Sequence, residues 1–252
     1  MNVIYTIFFF IFGACMGSFL NVVVERLRHK ESFLRGRSHC PHCKKTLGIL
    51  DLVPIFSFLF LMGRCRHCHK KISWQYFFME LGTGLIFSLI YINFDFKLPT
   101  TYYLLISCFL IIIFLYDFKY YLILDKITIP AIIIALAGNL LLGQVWWELL
   151  LGAAIAAGFF LLQFLVSKGK WIGGGDIRLG VLMGLILGWK LVLIALFIAY
   201  GIGAVFGIIL ILCKKKKLSS SMPFGTFLTL ATFITLIYGN IILEWYLNML
   251  YL

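Results

Sequence analysis

Eight apolar runs set the terms on which this chain can fold. They fall at about residues 2–24, 76–94, 101–116, 128–147, 149–166, 179–189, 191–212 and 224–243. Most approach the roughly 17–25 residues that carry a helix across a hydrocarbon core. Inside lipid, every backbone N–H and C=O must be satisfied within the segment, so such runs become helices. Apolar side chains in continuous blocks, not in stripes, belong to helices surrounded by lipid. Composition agrees. The chain is 62% hydrophobic and 13% charged, against about 45–50% and about 25% in soluble domains. The expected fold is an all-α polytopic membrane protein of about eight transmembrane helices, and soluble cytosolic folds are excluded. The third run is slightly short. The sixth, Leu179 to Trp189, is clearly short and follows a glycine run.

Charge orients the runs. With the N-terminus outside, the segments 25–75, 117–127, 167–178 and 213–223 face inward and carry 20 of the 22 Lys and Arg residues. Only Lys97 and Lys190 fall outside. This bias places the basic segments in the cytoplasm and both termini outside the cell membrane. The net charge of +12 would suggest nucleic acid on a soluble protein. Here the basic residues lie between apolar runs, so they serve topology and contact with anionic membrane lipids, and no nucleic-acid partner is expected. The first run lacks a basic n-region and a small-residue cleavage site, so it reads as a retained span.

The organisation follows: a first transmembrane helix over 1–24, a cytoplasmic loop domain over 25–75, and a multi-span region over 76–252. The loop holds all five histidines and four of the seven cysteines. About fifty residues rarely bury enough apolar surface to fold unaided, so a staple is expected. Cys40-Pro41-His42-Cys43 and Cys65-Arg66-His67-Cys68 supply one, as two C-x-x-C pairs with 21 residues between them. Each pair presents two thiolates on one turn, and together they complete a tetrahedral site for a structural zinc. Disulfides are the alternative, but a cytosolic loop disfavours them. Cys15, Cys108 and Cys213 stand alone in apolar context and read as packing residues.

The chain has five aspartates. Asp51 and Asp95 fall in loops and are expected to be solvated. Asp117 closes the third run, and Asp176 follows Gly173-Gly174-Gly175 just before the sixth, both at cytoplasmic span ends. Ionisable groups at span boundaries are costly and mark function. Brought together, two such carboxylates would share a proton, one activating water while the other polarises a carbonyl. The glycines would let a substrate backbone approach closely. Asp125 is the rival for the pair, but its neighbours suit a helix start and a salt bridge.

In this order, the pieces resemble the bacterial type IV prepilin peptidases of the GxGD membrane aspartic proteases. The resemblance rests on Gly17-Ser18-Phe19-Leu20-Asn21 with Glu25-Arg26-Leu27, the cysteine loop, Glu80-Leu81-x-Thr83, Asp117, Gly173-x-Gly175-Asp176 and Pro223-Phe224-Gly225. It implies catalysis by Asp117 and Asp176. It further implies cleavage of basic leaders from prepilin or pseudopilin precursors on the cytoplasmic side, then N-methylation of the new terminus with S-adenosylmethionine as donor. Glu80 and the segment from Gly17 to Asn21 are the candidates for methyl transfer. Leu124, Arg178 and Thr226 depart from the family's usual residues without removing an aspartate or a cysteine ligand. A proton-coupled transporter would instead place acids near the bilayer midplane on broken helices. A scaffold using the loop to bind a partner would leave Gly173 to Asp176 without a purpose.

Overall fold

The computed structural model describes residues 2–32, 36, 38–40, 42–95, 97–214 and 222–250. Met1, Arg35, Arg37, Pro41 and Lys215 to Lys217 lie outside the described residues. Among those described, the regular elements are helices: α1 (Val3–His29), a 3-10 turn (Ile49–Asp51), α2 (Phe56–Phe60), α3 (Trp74–Phe94), α4 (Leu98–Tyr120), α5 (Asp125–Leu141), α6 (Trp146–Ser167), α7 (Gly174–Leu212) and α8 (Phe224–Leu250). Six of them, α1, α3, α4, α6, α7 and α8, are long and apolar enough to cross a membrane. The all-α membrane fold read from the apolar runs is therefore the fold observed. The chain forms two compact units, residues 1–108 and 109–252.

In the first unit, α1 and α3 pack through small residues. A Cβ at Gly13 would stand 2.6 Å from the Thr83 carbonyl, and one at Gly17 would stand 2.7 Å from that of Met79. Spaced four apart, these glycines line one face of α1 and let the two backbones touch, the usual device where no hydrophobic force draws helices together. Phe9 stacks on Tyr91 at 4.8 Å toward one end of the seam. At the other end the Gln75 side-chain amide donates to Asn21 Oδ1 at 3.1 Å. Ser73 caps α3 by accepting the Gln75 backbone N–H at 3.2 Å.

The second unit has a similar seam between α6 and α7. A Cβ at Gly184 would fall 2.2 Å from Ala153 N, and one at Gly152 would fall 2.7 Å from the Gly188 backbone. The 39 residues of α7 would make a straight helix of about 58 Å, roughly twice a hydrocarbon core. They do not run straight. Gly188 has φ +73° and ψ 175°, a backbone conformation open to glycine. On one side of it Gly180 abuts Phe160 of α6. On the other, Tyr200 packs on Phe159 and donates to Gln163 Oε1 at 2.9 Å. Residues 180 and 200 meet the same turns of α6, so the chain reverses at Gly188. The short sixth run and the seventh are thus the two arms of a helical hairpin. Asn139 of α5 serves the break: its side-chain amide donates to the carbonyls of Leu185 at 2.6 Å and Ile186 at 3.2 Å.

Candidate active site and metal centre

The helix directions within the second unit bring three element ends together. α4 finishes near Asp117; α7 and α8 begin at Gly174 and Phe224. Asp117 and Asp176 are both buried there, at 5% and 8% exposure. Asp117 Oδ2 accepts the Thr226 backbone N–H at 2.8 Å and the Thr226 hydroxyl at 3.1 Å. Asp176 Oδ2 accepts the Gly173 N–H at 3.0 Å, while its own N–H bonds back to the Gly173 carbonyl at 3.1 Å. That loop closes the N-terminus of α7. The two carboxylates lie close enough for the charge of Asp117 to act on Asp176.

The glycines are explained by what surrounds them. A Cβ at Gly225 would stand 3.0 Å from Asp117 Oδ2 and 2.9 Å from Ile123. A Cβ at Gly175 would also meet Ile123, at 2.9 Å, whereas Gly174 faces open space. Ile123 is therefore a shared floor beneath the two aspartate-bearing corners. Asp125 stands apart, in an ion pair with Arg178, each side chain about half exposed. Thr226 and Ile123 had no visible role in the sequence. Thr226 is 109 positions from Asp117, and an isoleucine between apolar runs carries no signal of its own.

In the first unit the cysteine pairs form two copies of one turn. Cys40 N–H donates to the Lys45 carbonyl and Cys65 N–H to that of Lys70, both at 3.0 Å; Lys44 and His69 donate back to the Cys40 and Cys65 carbonyls, both at 2.9 Å. Lys44 and His69 share a left-handed backbone, with φ 59° and 53°. Each turn is closed by a bridge, His39 with Thr46 and Arg64 with Lys71. The four sulfurs lie within 4.8 Å of one another, and Cys40 and Cys68 are 3.8 Å apart. Four ligands at the Zn–S distance of about 2.3 Å sit roughly 3.8 Å apart in a tetrahedron, so the set fits one ion. The N–H groups of Cys68 and His67 pull the Cys65 thiol down to about 7. At Cys68 the Lys70 N–H pulls the same way, but desolvation and the neighbouring sulfurs outweigh it and push the thiol up to about 11. Such crowding of four thiols suits a cation, which would hold all of them as thiolates.

Asp51 is not solvated as its loop position suggests. Its carboxylate takes Arg66 Nε at 2.6 Å and the Gly48 N–H at 3.1 Å, tying the 3-10 turn to the second cysteine turn. Asp95 is exposed, as expected. Cys15 and Cys213 are exposed, so neither is the packing residue its apolar context suggests, whereas Cys108 is half-buried. Glu80 is buried at 6% exposure. Its carboxylate accepts the Ile55 N–H at 2.7 Å and a bond from the Ser18 side chain.

Residues 11–94 match the Bacterial Peptidase A24 N-terminal domain, and residues 104–208 match the Type IV leader peptidase family. Among curated proteins, a Prepilin leader peptidase/N-methyltransferase of Bacillus subtilis is 33% identical over 243 residues, covering 95% of this chain and 97% of its own. A protein of that name from Aeromonas hydrophila is 33% identical, covering 95% and 92%. One from Pseudomonas aeruginosa is 26% identical, covering 94% and 91%. No solved structure matches the chain.

Proposed function

The chain belongs to the type IV leader peptidase family, and we propose that it cleaves leader peptides from prepilin or pseudopilin precursors and then N-methylates the new terminus. The observation that carries the proteolytic reading is the burial of Asp117 and Asp176 where three helix ends meet over Ile123. We assign Asp117 as general base, because a carboxylate that accepts both N–H and O–H donors is well held as an anion. It takes a proton from water as the water oxygen bonds to the scissile carbonyl carbon. Asp176 gives its proton to the carbonyl oxygen, yielding a neutral gem-diol. Asp176 then recovers a hydroxyl proton as the C–N bond breaks, and Asp117 delivers its proton to the departing amine. Acid, amine and the original proton count result. In the run Gly173 to Gly175, Gly174 faces open space and leaves room for the substrate strand, while Gly175 lets α7 close on Ile123.

We place this chemistry on the cytoplasmic face. In the second unit, Lys119, Lys126, Lys168, Lys170 and Arg178 fall at or beside the helix ends that carry the aspartates, where positive residues are retained. A zinc ion held by Cys40, Cys43, Cys65 and Cys68 would be structural, since four thiolates leave no open position. The loop 25–75 then acts as a functional module between the first span, 1–24, and the catalytic region, 76–252. Methyl transfer from S-adenosylmethionine depends on this module through Glu80, which holds the loop to α3. The test is direct. Asp117→Asn and Asp176→Asn should each lower cleavage of a pilin-like precursor by on the order of 10²–10⁴-fold while still inserting in the membrane. Wild-type turnover in either variant would remove that residue from the pair.

A further inference from the structure

The stretch between the cysteine turns, Gly48 to Gly63, contains one charged residue, Asp51, and that is spent on Arg66. Five of its large apolar side chains are strongly exposed. Ile49 is 87% exposed, Leu50 70%, Phe56 61%, Phe60 82% and Met62 85%. In a water-filled loop this would be a costly surface.

The stretch is nonetheless firmly fixed. Phe58 is buried against Trp74 at 5.0 Å and Phe77 at 5.6 Å. Ile55 forms a tight γ-turn, φ 64° and ψ −57°, with Phe56 N–H bonded to the Pro54 carbonyl at 2.6 Å. A β-branched residue resists this conformation, and such strain persists only where surroundings enforce it. Glu80 enforces it by accepting the Ile55 N–H at 2.7 Å. Glu80 lies six residues into α3, about 9 Å along the helix from Trp74. The turn at Ile55 is thus drawn alongside a membrane-crossing helix, past the level at which that helix begins. Trp74 and Phe78, at 60% and 62% exposure, continue the apolar surface on α3, as interfacial aromatics do.

From this geometry we propose that residues 49–62 are an elbow inserted into the membrane interface, with Ile49, Leu50, Phe56, Phe60 and Met62 seated at the boundary between headgroups and acyl chains. The elbow is thereby held beside the first turns of α3, where the interfacial layer of roughly 5–8 Å would meet that helix. The cysteine turns that flank it carry Lys44, Lys45, Arg64, Arg66, Lys70 and Lys71. Apolar insertion with a basic rim is the pattern that holds a segment on an anionic bilayer surface. The exposed side chains stand proud of the surface, which suits penetration of a fluid; a helical partner would need a groove.

The experiment places p-benzoylphenylalanine at Phe60, Met62 or His67 of the full-length protein. Each variant is reconstituted in liposomes of phosphatidylethanolamine and phosphatidylglycerol, with a pilin-like precursor added, and illuminated. Mass spectrometry should find several-fold more lipid adduct at positions 60 and 62 than at 67, an exposed residue of the second cysteine turn. Adducts at 60 and 62 made mainly to the precursor would show a substrate-docking surface instead. Adducts to a second copy would show an interface between chains. Either result overturns the proposal, as does equal lipid labelling at 67 or none at 60 and 62.

Discussion

Thr226 shows how one residue can set the chemistry of another. Its amide and hydroxyl both reach Asp117 Oδ2, and its hydroxyl can be removed without disturbing its amide. A hydrogen bond to a charged group contributes about 1.5–3 kcal/mol, or roughly tenfold to a hundredfold in rate. Thr226→Val should therefore lower kcat for precursor cleavage by about tenfold with KM unchanged, and Thr226→Ser should restore it. Loss through KM alone would assign Thr226 to substrate binding. Glu80 acts differently, since its carboxylate anchors the backbone at Ile55. Glu80→Ala should reduce N-methylation of the mature product more than cleavage, read as a missing gain of about 14 Da per methyl group at the new N-terminus. Equal loss of both in inserted protein would mean that the anchor supports the whole enzyme.

At the scale of elements, the two glycine seams and the break in α7 determine where the helix ends fall. A Cβ at Gly184 would sit 2.2 Å from Ala153 N, so even Gly184→Ala must spread α6 from α7. Overpacking of this kind costs about 1–3 kcal/mol, visible as a lower unfolding temperature in detergent. Asn139→Leu keeps the branched outline, though with a bulkier side chain, and removes the donor to the carbonyls of Leu185 and Ile186 at the reversal. An interhelical bond of this kind contributes about 1–2 kcal/mol in membranes. The same assay should therefore show a comparable loss of stability. Activity should fall with it, because the hairpin carries Asp176 on one arm and Tyr200 on the other. An Asn139→Leu protein as stable as the wild type would mean that the break is satisfied by other groups.

For the whole molecule, the cysteine cluster is the clearest case of folding coupled to a ligand. The loop between α1 and α3 has few buried apolar residues among those described, namely Cys40, Phe58 and Cys65. Metal ligation then supplies much of what holds it. Purified protein should contain about one zinc per chain. Cys65→Ser should lose that metal and make the loop sensitive to proteolysis while the spans stay inserted. Full metal content in that variant would place the ion elsewhere.

The sequence alone determined the membrane class, the helical fold and the two cysteine turns. Each is written in local chemistry: long apolar runs that only helices can satisfy in lipid, and ligand spacings that one turn fixes. It also named Asp117 and Asp176, because a carboxylate at a span end is too costly to be idle. What it could not express was company. That Asp117 would meet Thr226, that Asp125 would pair with Arg178, and that Ile123 would underlie both aspartate corners depend on helix ends 52 to 109 residues apart converging. Sequence patterns carry periodicity along one helix, whereas such convergence is set by close packing between helices. The reversal at Gly188 is of the same kind. A glycine permits it, but the contacts of both arms with α6 and the amide of Asn139 decide that the chain turns there.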